Sequence, residues 1–418
     1  MSKLVVKGPV RLEGRVRISG AKNAALPILI ATILLKGESV ITNVPNLTDI
    51  MTTIRLLRSL GLKAEFTNNT VTIMGTNDVR HIAPYELITN MRASFLVAGP
   101  ILARVGFAKV PYPGGCAIGT RPVDIHLNGF RAFGIDIRVE HGFVVLKSNG
   151  KIRGSKYTLD FPSVGATQNL MMLASLAEGT SVLKNVAKEP EIEDLAAFLN
   201  QAGANVQGAG TDTIRIEGVP EMINVNYPVI PDRIETATYL CAVAITRGDV
   251  ILEKVNTAQI QDIIKVLRKV GYTLEEIDDE TLHISYDGGD LKGVNIKTEP
   301  FPGFSTDNQA MLMSVLAMID GEKSSITETI FENRFMHVNE LNRMGANIEV
   351  DGRKAVIHGV RNLSSSAVKM MDLRGGAALL IAGLVADGDT VLYNTYHILR
   401  GYEDITGKFI KLGAKFAH

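Results

Sequence analysis

Residues able to do chemistry collect at two kinds of place in this 418-residue chain. The first is a loop, residues 111–124, where Pro113-Gly114-Gly115-Cys116-Ala117-Ile118-Gly119 is followed by Arg121-Pro122-Val123-Asp124. Glycines and prolines around one cysteine describe an exposed, mobile turn, a common home for catalytic groups on a rigid scaffold. A thiol beside a guanidinium has its pKa lowered from about 8.5, so Cys116 near Arg121 is suited to passing a proton near neutrality. Cys241, inside Tyr239-Leu240-Cys241-Ala242-Val243, reads instead as a small buried hydrophobe. His126 lies ten residues beyond Cys116, but no nearby Asn suggests itself as the orienting group of a Cys–His pair. The second kind of place is the start of an apolar segment: Lys22-Asn23, Arg92, Ser163 through Thr167, Arg233 with Glu235, Ser305-Thr306-Asp307, and Asp372 with Arg374. Ser163, Ser305 and Asp372 serve equally well as helix caps or as site residues. Lys22, Arg92 and Arg374 do not, because a cation at a helix N-terminus opposes the helix dipole unless an anion sits between them. Equivalent helix ends facing one cleft would make a trap for phosphate or carboxylate groups.

These segments belong to a repeat. Apolar runs close on Gly37, Gly106, Gly179, Gly248, Gly321 and Gly388, spaced by 69, 73, 69, 73 and 67 residues. Amphipathic stretches close on Gly61, Gly134, Gly203, Gly271, Gly345 and Gly413, spaced by 73, 69, 68, 74 and 68. Two markers with one period of about 70 residues define six units. Each unit predicts an all-apolar helix (Ala93–Ala103, Asn169–Ala177 and Ala310–Ile319 among them) that belongs inside a core. A strand, an amphipathic helix such as Ile260–Val270 and a hairpin such as the one around Asp351-Gly352 then follow. The sixth unit ends before its hairpin is complete, and Leu4–Gly8 reads as the missing strand, with Val10–Ser19 as a lead-in strand. That borrowing argues for closure over an open solenoid. It predicts two α/β domains of three units each, 21–229 and 1–20 plus 230–418. The cysteine loop falls where the second unit is longest, and Arg334 and Arg400, with His337 and His397, occupy the matching loops of the last two units.

Composition narrows the function classes. Lys+Arg and Asp+Glu are both 44, so no basic footprint argues for nucleic acid. Hydrophobic residues at 46% and charged residues at 21% describe a globular chain. Two cysteines make no disulfide framework, and no spacing of metal ligands is present. The longest apolar stretches, Ala25–Leu35 and Ala377–Ala386, fall short of the ~18 residues a membrane span needs. The N-terminal residues show no signal peptide, so a cytoplasmic location is expected.

Gly20-Ala21-Lys22-Asn23-Ala24, the cysteine loop, Arg121-Pro122-Val123-Asp124, Ser163-Val164-Gly165-Ala166-Thr167 and Glu332-Asn333-Arg334-Phe335 together resemble the enolpyruvyl transferase family, from Leu4 to about Lys415. The resemblance implies two inside-out α/β barrels with helices in the interior. Within the family, the cysteine loop and the Arg-Pro-Val-Asp run resemble the members that move the enolpyruvyl group of phosphoenolpyruvate to the 3′-hydroxyl of UDP-N-acetylglucosamine. That reaction releases phosphate, opens peptidoglycan synthesis and needs no cofactor. By the same resemblance Cys116 is the proton donor, adduct-forming thiol and fosfomycin target, and Asp307 is the base. Lys22 and Arg400 complete the catalytic set, and Lys22, Asn23, Arg121, Arg334, Arg374 and Arg400 hold phosphoenolpyruvate. Asn23, Arg92, Arg121, Pro122, Val123, Asp124, Ile125, Ser163, Val164, Gly165, Asp307 and Ile330 hold the nucleotide sugar. One departure stands out: Asp160-Phe161-Pro162 precedes the Ser-Val-Gly run where some members carry a basic residue, which leaves Lys151 or Lys156 as the candidate for the diphosphate. The competing readings are a shikimate-type enolpyruvyl transferase and a non-catalytic repeat scaffold that binds anions.

Overall fold

A computed structural model describes residues 3–89, 92–112 and 123–417. Two compact units divide the described chain: the residues up to Ser19 together with those from Pro231 onward, and the residues between Gly20 and Ile230. Each has its own apolar core, one running from Ala21 to Val229 and the other joining Leu4–Ile18 to Ile234–Ala414.

One pattern repeats in five of the six sheets of the described residues. In the first, Asn226–Pro228 lies parallel to Glu38–Thr42, which pairs antiparallel with Thr70–Met74, itself the partner of Lys63–Thr67. The same parallel–antiparallel–antiparallel order recurs in the sheets built around Thr180–Lys184, Asp249–Glu253, Lys323–Thr327 and Gly388–Tyr393. The sheet of Phe107–Pro111 has three strands, with a single parallel bridge from Ile82 to Lys109 where the fourth would be. Among the described residues, strand pairing gives six separate sheets and no continuous barrel wall.

The terminal strand is borrowed as the truncated sixth unit requires. Lys3–Gly8 pairs antiparallel with both Gly388–Tyr393 and Lys415–Ala417, and Glu13–Arg17 runs parallel to Asp249–Glu253. The six unit-closing glycines from Gly61 to Gly413 all take positive φ, the left-handed turn that ends each amphipathic helix. In the other set Gly248 does not; Arg247 takes that conformation one residue earlier (φ 50°), and a Cβ on Gly248 would come within 2.3 Å of the Leu12 carbonyl.

The apolar helices are interior elements. Every residue from Ile234 to Ile245 of the Arg233–Ile245 helix is buried, and so is all of Gln309–Ala317. In that unit Arg233–Ile245, Gln309–Ala317 and Leu373–Gly383 pack on one another. The amphipathic Gln261–Val270 helix buries only Ile263, Ile264, Leu267 and Val270. The helix expected over 93–103 is instead a 3-10 turn, Arg92–Val97, followed by Ala98–Val105. Pro100 falls in the first turn of Ala98–Val105, where its missing amide costs no helical hydrogen bond.

Candidate active site

In the 231–418 unit the polar groups converge on Asp307, in the turn before the Gln309–Ala317 helix. Ser305 does not cap that helix; its Oγ accepts from the Asp307 amide at 3.2 Å and shapes the turn instead. The buried Glu328 carboxylate ties this turn to the next loop. It accepts from the Thr306 hydroxyl at 2.9 Å, the Thr298 hydroxyl at 3.0 Å and the Ile330 amide at 2.8 Å.

Two arginines share Asp307. Arg334 Nη2 lies 2.5 Å from its Oδ1 and Arg374 Nε lies 3.6 Å from the same oxygen. The arginine side chains are 4% and 6% exposed, whereas Asp307 is 28% exposed. Two buried cations thus share one partly open carboxylate, with Asp232 and Asp372 as further acids near Arg374. Arg374 is the second residue of Leu373–Gly383, and Asp372 caps that helix by accepting from the Arg374 amide (2.9 Å) and the Gly375 amide (3.1 Å). Burial works against the Arg374 charge, but Tyr402, Asp307 and Asp232 outweigh it and hold the guanidinium pKa above its ordinary value. Arg400 is half-buried at the end of the Tyr396–Leu399 helix, two residues before Tyr402. His337, fully buried, has its pKa pushed down to about 4 by desolvation and is uncharged at neutral pH.

In the Gly20–Ile230 unit, Lys22 opens the Lys22–Ala31 helix with its Nζ 3.5 Å from Asp49 Oδ2. The anion expected beside this cation, as beside Arg374, is therefore first of all a carboxylate of the protein. Pro27 sits inside the helix and supplies no amide for the Asn23 carbonyl one turn back. Ser163 caps Val164–Ala174 by accepting from the Ala166 amide at 3.3 Å. His126 packs there: a Cβ on Gly165 would lie 3.3 Å from its Nε2. An orienting Asn does exist, on that same helix. Asn169 Oδ1 accepts from the Gly99 amide (2.7 Å), so its Nδ2 donates to His126 Nδ1 (3.1 Å) and the ring proton is left on Nε2. Val123 is buried, Asp124 exposed and Ile125 half-buried at the start of Asp124–Ala132. Phe161 is exposed, and Lys151 is paired with Glu178. Cys116, Arg121, Pro122 and the side chain of Arg92 lie outside the described residues. Cys241 is fully buried, and desolvation pushes its thiol well up, as befits an inert core residue.

The structure therefore gathers Asp307, Arg334 and Arg374 into one cluster and sets Ser163–Gly165 beside His126. Sequence reasoning missed Asp49, Glu328, Tyr402 and Asn169. Asn169 carried a signal, since a polar residue inside an all-apolar helix needs a buried partner.

The sequence pattern of the family described as EPSP synthase (3-phosphoshikimate 1-carboxyvinyltransferase) matches residues 6–409. The chain belongs to this enolpyruvyl transferase family. Among its family relatives, the UDP-N-acetylglucosamine 1-carboxyvinyltransferase 2 of Carboxydothermus hydrogenoformans is 51% identical over 415 residues, 99% of each chain. The UDP-N-acetylglucosamine 1-carboxyvinyltransferase of Thermotoga petrophila is 49% identical over 419 residues, covering 100% of this chain and 99% of its own. Solved enolpyruvyl transferases share the fold. NikO from Streptomyces tendae has a TM-score of 0.90 at 23% identity, covering 99% of this chain and 98% of its own. EPSP synthase from Acinetobacter baumannii has a TM-score of 0.79 at 19% identity, with both chains covered in full.

Proposed function

We infer that the protein transfers the enolpyruvyl group of phosphoenolpyruvate to the 3′-hydroxyl of UDP-N-acetylglucosamine and releases phosphate, the first committed step of peptidoglycan synthesis. The observation that carries this reading is identity near one half, end to end, with relatives of that name. The shikimate enzyme, at 19% identity, shares the fold alone. No helix among the described residues is long and apolar enough to cross a membrane, and the reading places the enzyme in the cytoplasm with two small anionic substrates.

The chemistry asks for three things. The sugar hydroxyl must lose a proton as its oxygen bonds to C2 of phosphoenolpyruvate, C3 must gain a proton, and the resulting tetrahedral ketal must then lose phosphate and a C3 proton. We assign the first task to Asp307 and the second to the Cys116 thiol, whose thiolate takes a C3 proton back as the C2–O bond to phosphate breaks. The same thiol can add to C2, the adduct the family resemblance implies, and is the group fosfomycin would modify. Phosphoenolpyruvate carries about three negative charges, so it competes with Asp307 for Arg334 and Arg374. Substrate binding thereby gives the guanidinium groups phosphate and carboxylate partners in place of Asp307 and releases Asp307 to act as base. Arg400, Arg121, Lys22 and Asn23 complete this anion set, and fixed cations aimed at a departing phosphate are a large catalytic term. Arg92, Arg121 through Ile125, Ser163 through Gly165, Asn23, Ile330 and Asp307 are assigned to the nucleotide sugar.

Phosphate release tests the reading directly. With phosphoenolpyruvate present, UDP-N-acetylglucosamine should drive release and shikimate 3-phosphate should not; the opposite preference would overturn the assignment. Intact mass should rise after incubation with fosfomycin, and Cys116→Ala should abolish the rise. A folded protein that releases no phosphate and forms no adduct would favour a non-catalytic scaffold.

A further inference from the structure

A buried chain of hydrogen bonds runs from the anion cluster into the core of the 231–418 unit, and its proton directions can all be assigned. Thr238 Oγ1 donates to the Ile234 carbonyl at 2.8 Å, one turn back along the Arg233–Ile245 helix. That uses its only proton, so the 2.9 Å contact between Thr238 Oγ1 and Tyr402 Oη must have the phenol as donor. Tyr402 Oη in turn accepts from Arg374 Nη1 at 3.0 Å. Arg374, Tyr402 and Thr238 are 5%, 2% and 0% exposed, so solvent does not substitute for any of these bonds. Burial also raises the Tyr402 pKa, which keeps the phenol protonated and able to donate.

We propose that Tyr402 and Thr238 form a directed relay that fixes the Arg374 guanidinium for anion binding, which makes Tyr402 a positioning residue of the reaction. Arg374 is then held at two points, Nε toward Asp307 and Nη1 toward Tyr402, which fixes the plane of the guanidinium. The ring adds a second restraint, with the guanidinium carbon 5.5 Å from its centroid. When the substrate anion displaces Asp307 as the partner of Arg374, Tyr402 still holds Nη1 in place. The relay also ties down the segment carrying Arg400, which lies two residues before Tyr402. It rests on the proposed function for the identity of the anion, but its geometry does not.

Tyr402→Phe removes the relay and keeps the ring; Thr238→Val removes its terminus at constant shape; Thr238→Ser retains it. Loss of a hydrogen bond to a charged group predicts a KM for phosphoenolpyruvate raised about tenfold in Tyr402→Phe, with the KM for UDP-N-acetylglucosamine unchanged. Thr238→Val should shift the same constant in the same direction by less, and Thr238→Ser should restore it. Calorimetric titration of inorganic phosphate onto the same proteins gives a readout independent of turnover, and Tyr402→Phe should bind phosphate more weakly. An unchanged KM for phosphoenolpyruvate in folded Tyr402→Phe, or equal phosphate binding by that variant and the wild type, overturns the relay. So does a parallel rise in both KM values with a falling melting temperature, which marks a merely structural residue. A wild-type protein that binds phosphate through the relay yet transfers no enolpyruvyl group would overturn the proposed function and leave the relay standing.

Discussion

The two units use the same place in the repeat, the start of an interior helix, in opposite ways. In the 231–418 unit it is crowded with formal charge: Asp307, Arg334 and Arg374 meet there, both arginines are nearly buried, and Asp372 and Tyr402 hold Arg374 from behind. In the Gly20–Ile230 unit the Val164–Ala174 helix starts on neutral groups, with Ser163 as cap and His126 held in one tautomer by Asn169. At the start of the Lys22–Ala31 helix, among the described residues, Lys22 meets Asp49 at 3.5 Å. Buried charge is costly unless matched, and an anion bound where two guanidinium groups converge would offset part of that cost. Neutral donors and acceptors cost less and discriminate by shape, which suits the proposed role of Ser163 through Gly165 at the nucleotide sugar. The repeat supplies the position, and the residues placed there divide the labour.

The largest effect should come from the carboxylate at the centre of the charged side. Asp307→Asn keeps the shape and removes both the counter-charge and the proposed base. Turnover should fall by about 10²–10⁴-fold, the range for losing general acid–base help. Asp194→Asn, at a buried carboxyl remote in role, should leave turnover unchanged. Near-normal rates in Asp307→Asn would remove Asp307 from the mechanism and dissolve the contrast between the units. Initial rates of phosphate release at saturating substrates measure both.

Much of this arrangement was legible in the chain itself. Asp307 and Arg374 stand 67 residues apart, one unit length, and Arg334 and Arg400 occupy matching loops 66 apart, so register alone brought them into one list. Lys3–Gly8 completes the sixth unit's sheet because a strand edge without a partner is a stronger constraint than sequence order. What stayed hidden were the residues that act through others. Tyr402 and Thr238 have the types expected of any core edge, and only the path of the chain shows that Thr238 Oγ1 points back to Ile234 and forward to Tyr402. Asp49 lies in the first turn of the Thr48–Ser59 helix, and its pairing with Lys22 depends on how that helix meets Lys22–Ala31. Register identifies positions that share a role, but it carries no information on which neighbouring side chain supports them.

A buried carboxyl with neutral partners gives the next effect. Asp194 accepts from the Tyr227 hydroxyl at 2.6 Å, and burial nonetheless pushes its pKa up to about 6. The folded protein therefore holds that proton more tightly than the unfolded chain, and the carboxyl's contribution to stability falls as pH rises from about 4 to about 6. By linkage the loss approaches about 3 kcal/mol at pH 7. Asp194→Asn should escape it, gaining on the wild type between pH 4 and pH 7 in paired urea or thermal unfolding. Glu235, pushed up to about 7, and His337, pushed down to about 4, titrate over the same range with opposite signs, so the variant-minus-wild-type difference is the readout. An equal difference at pH 4 and pH 7 would show that Asp194 titrates normally.

Stability also separates the two charge pairs. Asp307→Asn removes the carboxylate that the two buried guanidinium groups share, and the remaining acids near Arg374 together with the partial exposure of the site limit the cost to about 2 kcal/mol. Asp49→Asn should cost about 1 kcal/mol, because the flexible Lys22 stem can carry its ammonium toward water. Inorganic phosphate should recover part of the Asp307→Asn loss and little of the Asp49→Asn loss, since two guanidinium groups converge on the first carboxylate and one ammonium meets the second. Melting temperatures with and without phosphate give the comparison, and equal recovery would mean that the effect of phosphate is not confined to one unit.

The smallest effect tests the caps, where the division of labour is least visible. Ser163 and Asp372 hold equivalent positions, and each accepts from the first turn of its own helix. Ser163→Ala removes one neutral bond to the Ala166 amide at 3.3 Å and should cost about 0.5–1 kcal/mol, with no dependence on salt. Asp372→Ala removes two bonds, at 2.9 and 3.1 Å, together with a negative charge beside the helix N-terminus and Arg374. It should cost about 1–2 kcal/mol, part of it screened by salt. Asp372→Asn keeps the cap and discards the charge, so its stability should fall between wild type and Asp372→Ala at low ionic strength and approach wild type at high. If Asp372→Asn behaved as wild type at every salt concentration, the Asp372 charge would be idle, and the electrostatic character assigned to that unit would rest on Asp307 and its two arginines alone.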